Sequence, residues 1–144
     1  MEHPDCPLCR DAGGHLVASA ARWRVIRAAE PDFPAFYRVI WTDHVAEFSD
    51  LTPLDREACM AVVLAVEQAL RQHLTPTKIN LATLGNVVPH LHWHVIARFD
   101  WDSHFPNPVW GERRRTLPQD AASRLPISLS ALDAHVREAV SGLG

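Results

Sequence analysis

The spacing of apolar positions changes along the chain, and each change marks an element. Trp23-Arg24-Val25-Ile26-Arg27-Ala28 and Phe36-Tyr37-Arg38-Val39-Ile40-Trp41 are rich in β-branched and aromatic residues and predict two strands. Glu30-Pro31-Asp32-Phe33-Pro34 carries turn chemistry, so the two strands form a hairpin with a longer loop. A helix follows: Thr52 suits the N-cap, Pro53 the first helical position, and Asp55 and Glu57 the positive end of the dipole. Leu54, Ala58, Val62, Leu64, Val66, Ala69 and Leu70 supply its apolar surface at three- and four-residue steps, and Thr75-Pro76 ends it. Lys78–Ala82 reads as a third strand, Gly85-Asn86 as a turn, and the run from His90 as a fourth strand.

The ends are less regular. Up to about Gly14, with Pro4, Pro7, Gly13 and Gly14, irregular structure is expected. From Asp100 to Pro126 prolines and aromatics replace any period, and a last helix is expected from a cap at Ser130, with Asp133 three residues on, through Val136 and Val140. Strand, strand, helix, strand, strand, extension, helix is an α+β order. It implies a mostly antiparallel sheet, one long central helix and a C-terminal helix.

The histidine run, HLHWHVIARF from His90 to Phe99, places three imidazoles on alternate positions. On a strand His90, His92 and His94 share one face while Leu91, Trp93, Val95 and Ala97 point into the core. Same-face neighbours lie roughly 6.5–7 Å apart, so all three can converge on a group the size of a phosphate. Three readings compete: exposed surface histidines, a metal site with His-x-His spacing, and a nucleophilic middle histidine whose neighbours neutralise the group under attack.

Bulk properties narrow the partners. The chain has 144 residues and fits a single domain. Net charge −3 argues against a broad nucleic-acid or anionic-membrane footprint. No apolar run is long enough to span a bilayer, and MEHPDCPLCR lacks the features of a signal peptide, so a cytoplasmic location is expected. Three cysteines are too few for a disulfide framework, and Cys6-x-x-Cys9 suggests thiolates instead.

His90-Leu91-His92-Trp93-His94-Val95-Ile96 matches, at every position, the His-φ-His-φ-His-φ-φ signature of the histidine triad (HIT) superfamily, with φ apolar. Asn80 upstream and the Gly85-Asn86 pair agree with it. The likeness covers about residues 20–100 as the domain core, with 101–144 a C-terminal extension. The passage from Val39 to His94 resembles a bacterial group of HIT hydrolases and, more widely, diadenosine polyphosphate hydrolases.

The resemblance implies a HIT-like fold and residue roles. His92 would attack the α-phosphorus of a nucleotide and form a nucleotidyl-histidine that water cleaves. His94 would contact the phosphate and the bridging atom of the leaving group. Asn80, Gly85, Asn86 and His90 would complete the nucleotide and phosphate site; turn chemistry for Asn86 and a strand-edge amide for Asn80 are the plainer readings of those two. The family's ribose-binding acid falls near Ala28 or Ala29, leaving Glu30 or Asp32 as substitutes or the contact missing. Several HIT branches hold a structural zinc, and Cys6, Cys9, His44 and His90 stand at matching places, with His15 a further candidate. No organic cofactor is implied. His104-Phe105-Pro106-x-Pro108-Val109-Trp110 is expected either near the site, even across a dimer interface, or as packing over the sheet edge. Arg113-Arg114-Arg115 is expected to be a solvated charge run, Cys59 a core residue, and Trp23, Trp41 and Trp93 core or interface aromatics.

The expected activity is hydrolysis or transfer of a nucleotidyl group from a dinucleoside polyphosphate or nucleoside phosphoramidate, with a purine nucleotide as partner and a homodimer as the family's habit. The alternatives are a slow nucleotide-binding regulator and a zinc-dependent hydrolase.

Overall fold

A computed structural model describes residues 2–144. A short helix α1 (Pro7–Arg10) precedes strands β1 (His15–Ser19), β2 (Trp23–Arg27) and β3 (Phe36–Trp41). Helix α2 (Pro53–Leu74), strands β4 (Lys78–Ala82) and β5 (His92–Arg98) and helix α3 (Leu129–Val140) follow. The strands form one antiparallel sheet in the order β1-β2-β3-β5-β4.

The central elements lie where their residues predict. Thr52 caps α2 by accepting from the Asp55 amide at 3.2 Å, Pro53 opens it, and Thr75 closes it in the left-handed region at φ 47°. Its buried face is Cys59, Val62, Val63, Val66, Ala69, Leu70 and Leu74. Leu54 and Leu64, expected in that face, are exposed at 75% and 52%; Leu64 is two residues from both Val62 and Val66 and so turned about 200° from each.

The termini depart from expectation. Residues before Gly14 include α1, and His15–Ser19 is a strand that the alternation did not reveal. Only Val17 of β1 is buried, and its pairing with β2 is irregular between Leu16 and Ala18, which erases a period of two. The last helix starts two residues before the expected position: Ser128, not Ser130, caps it by accepting from the Ala131 amide at 3.1 Å. Asp133 is a buried anchor rather than a capping residue. Its carboxylate accepts from the Tyr37 hydroxyl at 2.6 Å and from Arg27 at 3.0 Å, tying α3 to the sheet.

Strand alternation divides the sheet into two faces. Trp23, Val25, Tyr37, Val39, Trp41, Val95 and Ala97 pack with α2 and α3 into the main core. Cys59 lies there too, and burial pushes its thiol up to about 11. The other face carries Ile26, Phe36, Arg38, Ile40, His92, His94 and Ile96. Cys6 and Leu8 cover Ile26 and Ile40 at one end. Phe33 and Val109 cover Ala28, Phe36 and Ile96 at the other. Arg38 and His94, partners in the β3–β5 register, lie between these two covers.

Candidate active site and metal centre

The three histidines of the motif do not act as one set. β5 begins at His92, so His90 lies just outside the strand. It is fully buried, and its ring turns toward the N-terminal cysteines. The expectation that all three imidazoles converge on one group is therefore corrected to a pair, His92 and His94, with rings 5.0 Å apart.

Each ring has a protonation state set by its neighbour. His90 donates Nε2–H to the Trp41 carbonyl at 2.6 Å, which leaves the Nδ1 lone pair free. His92 donates Nδ1–H to the His90 carbonyl at 2.6 Å, which leaves the lone pair on Nε2. His94 is the reverse of His92: its Nδ1 accepts from Arg38 Nε–H at 3.3 Å, so Nε2 carries the proton. Burial, outweighing the carbonyl bond to His90, keeps His92 below the ordinary histidine range, with the Arg38 charge adding to it. Burial and the charges of His92 and Arg38 press His94 down to about 3. Both rings are thus neutral near pH 7.

His92 and His94 line a cavity of about 370 Å³ together with Leu84, Gly85, Asn86, Val87, Val88 and Trp110. Gly85 takes φ 75°, which lets the loop turn above the strand. Gly85 and Asn86 therefore lie beside the histidines as expected. Asn80 does not line this cavity; it sits on the same face of the sheet, where its Oδ1 accepts from Arg98 at 2.9 Å. It lines a neighbouring cavity of about 620 Å³ with Arg98, Phe105 and Trp110. Trp110 belongs to both cavities and stands edge-on to His94 at 5.0 Å.

The ribose-acid candidates lie elsewhere. Ala28 is buried under Phe33 and Val109, Glu30 is exposed, and Asp32 pairs with Arg113 at 2.6 Å. Arg113 and Arg114 are exposed as expected, and the Asp32 pair together with the bonds from Arg115 to the carbonyls of Asp102 and Phe105, at 2.6 and 2.8 Å, adds a fastening role. Arg38, Arg98 and Asp102 are the residues that sequence reasoning missed. The signal for Arg38 was a lone cation in the apolar strand FYRVIW, directly across the register from His94.

Cys6, Cys9, His44 and His90 bring one ligand atom each to within 4.8 Å of one another. The two sulfurs approach His90 Nδ1 at 3.4 and 3.5 Å, and the His44 and His90 Nδ1 atoms are 3.3 Å apart. The set fits a tetrahedral zinc ion: two thiolate sources and two imidazole nitrogens, with the lone pair of His90 already freed by Trp41. His15 is not a member; it lies by Asp133 at 3.4 Å.

Comparison with known proteins gives the family and the fold. A family model described as HIT domain matches residues 11–101. Curated AP-4-A phosphorylases from two strains of Mycobacterium tuberculosis are 27% identical over 121 residues, which is 80% of this chain. The chain spans 61% of the length of those relatives. A histidine triad protein from Bradyrhizobium japonicum superposes with a TM-score of 0.73 at 25% identity, covering 90% of this chain and 92% of that one. A histidine triad (HIT) protein from Sinorhizobium meliloti 1021 gives 0.70 at 26%, covering 88% and 90%. A Zn-bound histidine triad family protein from Mycobacterium smegmatis, 20% identical, shares the fold with a TM-score of 0.62 over 96% of this chain and 95% of its own. The matched stretch covers well over half of the chain and contains the histidine motif, and the chain belongs to the HIT domain family.

Proposed function

We propose that this protein is a nucleotidyl hydrolase or transferase whose nucleophile is His92 and whose substrate is a purine nucleotide carrying a leaving group on its α-phosphate. The observation that carries the reading is the His92 Nδ1–H bond to the His90 carbonyl at 2.6 Å. It leaves Nε2 unprotonated, on a ring held below its ordinary pKa, in a cavity large enough for part of a nucleotide. In the first step the Nε2 lone pair forms a bond to phosphorus as the bond to the leaving group breaks with its electron pair. In the second, water attacks phosphorus, the N–P electron pair returns to Nε2, and the water proton passes to solvent. His94 Nε2–H donates to the phosphate or bridging atom, and Asn86 and the backbone around Gly85 hold the phosphate oxygens. The apolar walls Leu84 and Val87 and the indole of Trp110 suit a nucleoside. The activity of the curated relatives supports the nucleotidyl half of this reading.

Cys6, Cys9, His44 and His90 would hold zinc in a closed site, which supplies folding energy and takes no substrate. The zinc-hydrolase alternative is disfavoured because His90 turns to the cysteines and His94 carries its proton on Nε2, so that His92 is the one triad ring offering a lone pair to the cavity. A homodimer whose sheets join is the proposed assembly, since β4 is an edge strand with Leu81 exposed. No helix among the described residues is long and apolar enough to cross a membrane, and a cytoplasmic location is proposed with the rest.

The test is mass spectrometry after brief mixing with an adenylyl substrate and an acid-free quench. A mass increase of one nucleoside monophosphate is expected on the wild type and none on His92→Asn. Turnover in the variant should fall by more than about 10³-fold with fold and nucleotide binding retained. Rapid turnover without the adduct would remove the histidine nucleophile. Tight nucleotide binding with neither adduct nor turnover would establish the regulator instead.

A further inference from the structure

Arg38 occupies a position where strand register leaves little freedom. Across the sheet its neighbours are Ile26 on β2 and His94 on β5. Its guanidinium lies 5.1 Å from the Phe36 ring centroid, reaches the Gly13 carbonyl at 3.5 Å and donates Nε–H to His94 Nδ1 at 3.3 Å. A guanidinium can only donate. His94 must therefore present a lone pair at Nδ1 and keep its single proton on Nε2, the nitrogen left for the substrate.

This has a consequence for the leaving group. An imidazole that delivers a proton and stays neutral must begin as imidazolium, with hydrogens on both nitrogens, and then Nδ1 has nothing to offer Arg38. We propose that Arg38 is a positioning residue that locks His94 as a neutral Nε2–H hydrogen-bond donor, and that the site is thereby built for phosphate-anhydride substrates rather than phosphoramidates. The leaving-group preference rests on the nucleotidyl-transfer reading above; the lock on His94 does not.

The two reactions differ in where a proton is needed. With an anhydride, the His92 Nε2–phosphorus bond forms while the bond from phosphorus to the bridging oxygen breaks. The electron pair stays on a phosphate that leaves as an anion, steadied by the His94 Nε2–H, and no proton changes hands. With a phosphoramidate, the breaking P–N bond puts its electron pair on a nitrogen that must gain a proton to depart as an amine. Supplying it from His94 would leave an imidazolate, because Nδ1 carries no hydrogen. The position of His94, far below its ordinary pKa through burial and the two nearby bases, agrees with this arrangement.

Two measurements on wild type, Arg38→Met and Arg38→Lys test it. The first is the pattern of ¹⁵N–¹H correlations of the His94 ring in ligand-free protein, assigned by their loss in His94→Gln. Wild type should show Nε2 protonated and Nδ1 bare. Arg38→Met should show a mixture of tautomers, and Arg38→Lys, which keeps a donor, should move back toward the wild-type pattern. An unchanged pattern in Arg38→Met overturns the lock. The second is the ratio of kcat/KM for diadenosine tetraphosphate to that for adenosine 5′-phosphoramidate. It should exceed about 10² in wild type and shrink at least about tenfold in Arg38→Met. A wild type that cleaves the phosphoramidate as well as the anhydride, or a ratio unmoved in Arg38→Met, overturns the preference. If the wild type cleaves neither, the transfer reading falls and takes the preference with it, while the ring correlations still decide the role of Arg38.

Discussion

His94 is 5% exposed, with Arg38 hydrogen-bonded to one side of its ring and His92, Phe36 and Trp110 around the rest. Its pKa of about 3 in the folded chain against an ordinary 6.5 has a thermodynamic counterpart. Between those two values the unfolded chain binds a proton that the folded chain refuses, so stability rises with pH across that window. The contribution is complete above about pH 6.5 and is lost as pH falls toward 3. Urea unfolding between pH 7 and pH 4 should therefore show a falling midpoint in wild type and a shallower fall in His94→Gln. Equal slopes would mean that His94 is not the group being titrated. Residue identity was the most legible level of the sequence, because the motif singled out His92 and His94 as candidates and both line one cavity. The division of labour among the histidines was not legible. A period of two treats His90, His92 and His94 alike, and only the start of β5 at His92 and the carbonyls of Trp41 and His90 separate them.

At the scale of elements, the segment after β5 decides what faces His94. Arg98 and Asp102, 2% and 3% exposed, form an ion pair at 2.8 Å. Asp102 also accepts from the amides of Phe99, His104 and Phe105, and Arg98 donates to the Asn107 carbonyl at 2.7 Å. Burial alone would raise the Asp102 carboxyl, but the Arg98 bonds and the backbone amides outweigh it and hold it below its usual range. These bonds build a turn that returns the chain to the sheet and delivers Trp110, 55% exposed, to the cavity. Asp102→Ala strands the Arg98 cation in a buried place and should cost about 3 kcal/mol or more. Loosening the turn should also raise KM more than it lowers kcat. Trp110→Ala should raise KM with little change in stability, because it removes the wall and leaves the turn intact. Chemical denaturation and initial rates on both variants check this; equal stability losses would mean that Trp110 is part of the turn's scaffold. None of this was readable as a pattern, since the turn is written in side chain–backbone bonds and has no period. Helix α2 was readable, because its cap, its first proline and its apolar spacing are all local.

The whole molecule leaves its chemistry in a gap between two covers on one face of the sheet. The cover over Phe36 and Ile96 is fastened by Arg98 and Asp102. The other, over Ile26 and Ile40, rests on α1, a helix of four residues, which is too short to persist by itself. Arg24 helps by donating to the carbonyls of Leu8, Asp11 and Ala12. A metal held by Cys6, Cys9, His44 and His90 would join this segment to the loop after β3 and to the residue whose carbonyl orients His92. Metal content, stability and the reactivity of the proposed nucleophile are therefore expected to move together. Purified protein should carry about one zinc per chain by elemental analysis. Chelation or Cys9→Ser should lower Tm by at least about 5 °C. Both treatments should also slow formation of the nucleotidyl adduct, because a mobile His90 no longer holds the Nδ1 proton of His92 in place. Cys59→Ala, which alters a thiol in the core and not in the cluster, should keep its zinc and its rate of adduct formation. A zinc-free Cys9→Ser protein that melts at the wild-type temperature and forms the adduct at the wild-type rate would show that neither the N-terminal cover nor the bond from His92 to His90 depends on a metal.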